Sequence, residues 1–121
     1  MIKEKKILEK DIQREICDWL HAEGFFFWRQ NNTPIFDRKF GGFRAMAKYT
    51  YRGLPDIMIL YSGKFIGLEV KVPDYWKRTD GQIEIQDKIL NNGGVYAIAT
   101  SLEEAKSIIE KTIKGIFSTR F

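Results

Sequence analysis

The sequence predicts one α/β domain over residues 1–121, with helices flanking a mixed central sheet. Two observations lead to this fold class. Segments with helical periodicity alternate with short apolar segments of strand length. Near the end of the chain two predicted strands are joined through a helix, which requires a parallel pair beside an antiparallel hairpin. With 44% hydrophobic and 30% charged residues, the chain also has the composition of a folded globular domain.

The first half of the chain predicts a helix, a strand and a basic insert. An apolar stripe at helical spacing over residues 9–23 predicts a helix that ends at Gly24. The aromatic residues 25–28 show no alternation, which predicts a strand buried on both faces. Residues 38–52 include five basic residues and no acidic one. Their period of two from residue 43 onward predicts a strand or ribbon with one basic face, although a solvated surface face fits the same pattern.

The second half predicts a hairpin, a helix, a further strand and a last helix. Because the helix connects two strands of the same sheet, a right-handed crossover should make those strands parallel. The predicted elements are hairpin strands over 56–61 and 64–72, a helix from Thr79 or Asp80 to Asn92, a strand at 95–99, and a helix that starts with a capping box at Ser101 and Glu104.

The hairpin turn determines which side chains face each other. A two-residue turn at Ser62-Gly63 makes paired residue numbers sum to 125, so that Asp56 lies opposite Glu69. Two carboxylates in this position would repel each other, and they lie between otherwise apolar strands. A divalent cation between them would remove both problems, and all-oxygen ligation favours Mg2+ or Mn2+. A three-residue turn would instead place Asp56 opposite Val70.

Lys71 completes a candidate catalytic group with these two acids. It lies two residues beyond Glu69 on the same face of the strand, from which its amine could polarise or deprotonate a water molecule. The spacing alone fits a surface ion pair between Lys71 and one of the acids equally well.

Two helical residues are candidates to support this group. Glu9 lies roughly 40° from the centre of the first helix's apolar stripe, which predicts a half-buried acid in need of a partner such as a metal shell. Gln82 shares a face of the second helix with Ile85 and Gln86, and its amide could hold a water or a phosphate oxygen. Gln13 and Glu15 compete with Glu9 in register, and Gln86 competes with Gln82.

The composition excludes several classes of protein. The single cysteine, Cys17, excludes an internal disulfide and a cysteine-cluster metal site, and the single histidine, His21, argues against zinc hydrolases and serine hydrolases. No apolar run approaches the ~18 residues needed to span a bilayer, and no signal peptide is recognisable, so we expect a cytoplasmic protein. The net charge of +4 mildly favours a polyanionic partner.

The ordered motifs resemble a known nuclease family. Gly53-Leu54-Pro55-Asp56, twelve residues, then Glu69-Val70-Lys71 resembles the core of the PD-(D/E)xK nucleases. Together with residues 9–13, 28–31, Gln82 and Gly93-Gly94, the order is similar to the VRR-Nuc branch, over roughly residues 9–101. The resemblance implies a restriction-endonuclease-like α-β-β-β-α-β core and a bacterial or viral origin.

The resemblance also implies an activity and roles for residues. It implies metal-dependent hydrolysis of DNA phosphodiester bonds that leaves a 5′-phosphate and a 3′-hydroxyl, with Holliday junctions or other branched DNA among the substrates. It places Asp56, Glu69 and the Val70 carbonyl on the metal and Lys71 at the nucleophile, with Glu9 and Gln82 in support.

Polar side chains around these motifs are candidates for binding DNA. Tyr75 and Trp76 could stack on an unpaired base or form a subunit contact. Cleavage of two strands by so small a unit would favour a two-fold homodimer. The alternatives are a nucleic-acid-binding module with a nuclease-like fold that does not cleave, and an α/β domain whose basic surface serves protein contacts. The candidates for phosphate contacts are Arg29, Asn31, Asn32, Lys48, Arg52, Lys77 and Arg78.

Overall fold

The computed structural model describes residues 7–30, 36–37, 42–43, 48–73 and 76–118. Helices and strands alternate in the predicted order α-β-(insert)-β-β-α-β-α. Their bounds are α1 Glu9–Ala22, β1 Phe26–Arg29, β2 Phe36–Asp37, β3 Gly42–Phe43, β4 Ile57–Tyr61, β5 Lys64–Val70, α2 Asp80–Asn91, β6 Val95–Ala99 and α3 Leu102–Ser118.

The central sheet is mixed, as predicted. Its strand order is β1-β4-β5-β6, in which β4 pairs antiparallel with β1 and with β5, while β6 pairs parallel with β5. The short strands β2 and β3 form a separate antiparallel pair between β1 and β4 in the sequence. β5 and β6 are joined through α2, and the parallel pairing predicted for them is confirmed.

The hydrophobic core lies on one face of this sheet, beneath α1 and α3. Every second residue of the central strands points into it, as strand geometry requires. Glu69 lies between two of these residues on β5 and therefore points to the opposite face. The fully or nearly fully buried members are Ile12, Ile16 and Leu20 of α1, Ile57, Ile59, Ile66, Leu68, Val70 and Ala99 of the strands, and Ala105 and Ile109 of α3.

The β4–β5 hairpin has the two-residue turn that the sequence predicts. Tyr61 pairs with Lys64 and Ile57 pairs with Leu68, so that the pairs sum to 125. Ser62 and Gly63 both have positive φ angles, 49° and 80°, which is the conformation of a type I′ turn and matches the twist of the flanking strands. The register therefore excludes the three-residue turn.

The helix caps agree closely with the predictions. Thr79 caps α2, with its side chain accepting from the Gln82 N–H while the Gln82 side chain accepts from the Thr79 N–H. At α3 the Ser101 hydroxyl accepts from the Glu104 N–H. The Glu104 carboxylate accepts from the backbone and side chain of Thr100 rather than from Ser101. Only one of the two hydrogen bonds of the predicted capping box is therefore formed.

Two sequence predictions are wrong in detail. The strand at 25–28 is β1, but it lies at the edge of the sheet, where Phe26 remains 65% exposed. The predicted basic ribbon from 43 to 52 does not continue through its second half, because residues 48–49 form a turn in which Tyr49 has a φ of 69°. Residues 44–47 lie outside the described residues. Among the helices of the described chain, none is both long and apolar enough to cross a membrane.

We predict that Gly53→Ala destabilises the protein more than Gly24→Ala does. Both glycines have φ near 80°, so each substitution carries conformational strain of about 1–2 kcal/mol. A Cβ on Gly53 would in addition lie 2.6 Å from the Gly81 carbonyl carbon, whereas nothing lies within 4 Å of one on Gly24. Overpacking of this kind adds about 1–3 kcal/mol. Urea unfolding of both variants measures the difference, and equal losses would show that the contact between residue 53 and α2 is not tight.

Candidate active site

Asp56 and Glu69 converge at the end of the β4–β5 hairpin. Asp56 directly precedes β4, where its carbonyl accepts from the Gln30 N–H at 2.9 Å and its Oδ2 accepts from the Val70 N–H at 2.8 Å. Pro55 is fully buried and lies against Gly67, where a Cβ would be only 2.6 Å from the proline Cγ. The missing side chain at Gly67 therefore lets Pro55 pack onto the sheet and fix the position of Asp56.

Glu69 is the one buried charged residue in the described part of the chain, with 4% of its surface exposed. Its pKa is raised from 4.5 to about 9, chiefly by burial and then by a side-chain hydrogen bond to Asp56 and the charge of Asp56, against a lowering by Lys71. Glu69 therefore keeps its proton at neutral pH when no cation is bound. Glu69 Oε2 is buried without a hydrogen-bond partner.

Lys71 and Gln82 form the basic side of the site. The Lys71 Nζ donates to Gln82 Oε1 at 3.3 Å, and the Lys71 N–H donates to the Ala99 carbonyl at 3.1 Å. Because the same Gln82 oxygen accepts from the Thr79 N–H at 3.0 Å, the capping box of α2 fixes the position at which Lys71 is held. Of the two glutamines in competition, Gln82 is thus the one that contacts Lys71.

The donor set suits a hard divalent cation. Two carboxylates lie together, one of them with an unpartnered buried oxygen, and hard ions such as Mg2+ take oxygen ligands and keep several waters. Within the described residues no cluster of three or more histidine, cysteine or acidic side chains is placed to hold a metal. Asp56 and Glu69 would therefore need a backbone oxygen, such as the Val70 carbonyl predicted from the sequence, and water to complete a coordination shell.

Glu9 does not have the environment expected for it. It is the first residue of α1 and is exposed, so the prediction of a half-buried acid is wrong. Its charge still contributes to raising the pKa of Glu69, which places it within electrostatic reach of the site. Glu15 is exposed as well, and Gln13 accepts a hydrogen bond from Arg29 instead.

The predicted DNA contacts separate into exposed and enclosed cations. Lys48, Arg52 and Lys77 are exposed. Arg29 is exposed too but donates to Gln13 of α1 at 3.2 Å. Arg78 differs from all of these, because its Nε and Nη2 atoms are buried without a hydrogen-bond partner. Asn31, Asn32 and Tyr75 lie outside the described residues, and Trp76 is exposed.

The sequence interpretation missed Tyr96, which lies on the same face of the sheet as Glu69. Tyr96 is opposite Gly67 in the β5–β6 pairing, two residues before the level of Glu69. Burial, followed by the charge of Glu69, raises the pKa of Tyr96 to about 12, against a lowering by Arg78. The hydroxyl therefore keeps its proton at neutral pH. Its signal in the sequence is a tyrosine at the second position of a buried strand, which by itself does not indicate a site.

A second missed feature is a set of aromatic side chains beside basic ones. The Lys88 Nζ lies 5.9 Å from the centre of the exposed Tyr51 ring, and the Lys48 Nζ lies 5.1 Å from that of Tyr49. Tyr51 thus lies beside Lys88 of α2, the helix that also carries Gln82.

Comparison with solved structures identifies the fold. A "VRR_NUC domain protein" matches with a TM-score of 0.69 and 18% sequence identity, over 91% of this chain and 91% of that one. A chain described as "VRR_NUC domain" matches with a TM-score of 0.59 and 17% identity, over 84% of this chain and 94% of that one. No family model matches the sequence, and no curated protein matches it. The chain shares the fold of VRR_NUC domain proteins at low sequence identity.

Proposed function

We propose that this chain is a metal-dependent endonuclease that hydrolyses phosphodiester bonds of DNA, with Mg2+ as its cofactor and Mn2+ as a substitute. The observation that carries the proposal is the convergence of Asp56 and Glu69 beside Lys71, whose amine is held by Gln82. Two acids pressed together in a buried position destabilise a fold, so their presence is explained by a ligand that they bind. The fold shared with VRR_NUC domain proteins supports the same interpretation.

Each residue of the site has a role in this proposal. Asp56 and Glu69 would hold the cation, which supplies positive charge to the scissile phosphate and lowers the pKa of water. The Val70 N–H fixes one oxygen of Asp56. The Lys71 ammonium lies where it can hold the attacking water or stabilise the charge that develops on the phosphate. Gln82 keeps the Lys71 amine in place. Glu9 would act at longer range, through its charge.

The exposed cations near the site would bind the phosphate backbone. Lys48, Arg52 and Lys77 are exposed, and contacts of this kind position a duplex without reading its sequence. Trp76 and Tyr51 would stack on unpaired bases, which favours branched DNA as the substrate. A second copy of the chain would allow two strands to be cut symmetrically, so we propose a homodimer. We also propose that the protein acts in the cytoplasm.

The proposed function predicts cleavage that requires a divalent cation. Labelled duplex, flap, splayed-arm and four-way substrates are incubated with the purified chain in Mg2+, in Mn2+ and in chelator. We expect cleavage in both metals, none in chelator, and the fastest cleavage on a branched substrate. Cutting that persists in chelator would contradict the metal assignment. Binding without cutting in either metal would favour the non-catalytic module.

A further inference from the structure

Three side chains on the Glu69 side of the sheet have buried polar atoms without a hydrogen-bond partner. In the described part of the chain, the buried side-chain nitrogen and oxygen atoms without a hydrogen-bond partner are Glu69 Oε2, Arg78 Nε and Nη2, and Tyr96 Oη. The Arg78 guanidinium carbon lies 5.5 Å from the centre of the Tyr96 ring. Tyr96 shares a sheet face with Glu69 on the neighbouring strand, displaced by two residues. We call these three side chains the buried polar cluster.

The atoms of the buried polar cluster are chemically complementary. The two unpartnered nitrogens of Arg78 are N–H donors, Glu69 Oε2 is an acceptor, and the Tyr96 hydroxyl both accepts and donates. Each group buried without a partner is energetically costly. A hydroxyl that accepts from Arg78 and donates to Glu69 would satisfy all three residues. Diagonal neighbours on one sheet face lie within reach of aromatic and long side chains.

We propose that Tyr96 and Arg78 are positioning residues for Glu69. These atoms are not hydrogen-bonded to one another in the structure. When the cation is bound, the Tyr96 hydroxyl would donate to Glu69 Oε2 and accept from Arg78, which would leave the second Glu69 oxygen to face the cation beside Asp56. Carboxylates that bind metals are regularly oriented by such outer hydrogen bonds. This inference rests on the proposed function for the cation. It changes the role of Arg78, which the sequence predicted to contact a DNA phosphate.

The backbone around Arg78 fits the positioning role. Arg78 directly precedes Thr79, whose capping box fixes the start of α2. The same box holds Gln82 against Lys71. One helix start thus orients the residues on both sides of the two acids. Lys77, next to Arg78, is exposed and is therefore the natural contact for DNA.

The affinity for Mn2+, measured by calorimetry without DNA, tests the proposal. Tyr96→Phe keeps the ring and removes the hydroxyl, and we expect it to weaken Mn2+ binding by about 10–100-fold, as loss of an outer hydrogen bond to a metal ligand does. Arg78→Gln should weaken it in the same direction. Tyr61→Phe is the matched control, because Tyr61 lies at the far end of β4 and its ring packs on Phe25. Circular dichroism and a melting curve confirm that each variant is folded.

The outcomes separate this proposal from the proposed function. Absence of Mn2+ binding by the wild-type chain would contradict the metal site itself. If the wild type binds Mn2+ and Tyr96→Phe binds it equally well, the positioning role is wrong.

The salt dependence of DNA affinity tests independently whether Arg78 contacts a DNA phosphate. DNA affinity is measured in Ca2+ at several salt concentrations, and the logarithm of the binding constant is plotted against the logarithm of the salt concentration. Each lost phosphate contact reduces the slope of this plot by ~1. We expect Lys77→Gln to reduce the slope and Arg78→Gln to leave it unchanged. A reduced slope for Arg78→Gln would show that this side chain binds DNA and would overturn its assignment to Glu69.

Discussion

Replacing Lys71 by methionine is expected to lower the rate of DNA cleavage by about 10²–10⁴-fold, the usual contribution of a positioned acid–base group. Methionine keeps most of the length of the side chain but removes the ammonium that donates to Gln82 Oε1 at 3.3 Å. The affinity for DNA, measured in Ca2+, should change little, because Lys71 is one cation among several. Single-turnover rates in Mg2+ measure the effect. Lys111→Met, on the exposed side of α3, is the control.

A double-mutant cycle tests whether Gln82 affects cleavage through its hydrogen bond with Lys71. If Gln82 acts by holding Lys71, then Gln82→Leu should slow cleavage on its own but add little once Lys71 is methionine. Additive losses would show that Gln82 acts independently, for example on the substrate. A Lys71→Met variant within threefold of the wild-type rate would remove lysine from the proposed mechanism, while cation dependence could still be intact.

The Asp56–Glu69 pair could be predicted because a two-residue turn leaves little freedom. Ser62 and Gly63 determine the register of β4 and β5, and a shift of one residue would turn every side chain to the other face of the sheet. The fixed pairing from Tyr61 with Lys64 onward brings Asp56 to Glu69. Local sequence was therefore sufficient for the central part of the site.

Long-range features could not be predicted in the same way. β5 and β6 are joined through α2, and a connection of that length does not fix which residues lie side by side, so the position of Tyr96 near Glu69 was not accessible. Helical periodicity gives the direction of Glu9 but not its depth, because Glu9 is the first residue of α1 and nothing in the sequence shows whether the sheet extends that far. The exposure of Phe26 follows from the edge position of β1, which is also a property of the whole sheet.

The two acids make the metal-free protein sensitive to pH. Glu69 has a folded-state pKa of about 9 against an ordinary value of 4.5. Below 4.5 the folded and unfolded chains both carry the proton, so the contribution of Glu69 to stability is fully present. Between pH 4.5 and 9 only the folded chain keeps the proton, and the free energy of unfolding falls as pH rises, by at most about 1.4 kcal/mol per unit.

Glu69→Gln is therefore expected to stabilise the metal-free protein at pH 7.5 by a few kcal/mol while it abolishes cleavage, because glutamine is neutral at every pH and its amide can donate to Asp56. Urea unfolding in chelator at pH 5, 7.5 and 8.5 measures the free energy of unfolding, and the gain over wild type should grow with pH. Mg2+ should stabilise the wild type and not the variant, since a ligand stabilises only the form that binds it. Glu110→Gln, an exposed change on α3, serves as the control. A wild-type chain that loses no more stability than Glu69→Gln between pH 5 and 8.5 would mean that the acids are not pressed together, and the argument for a cation between them would lose its basis.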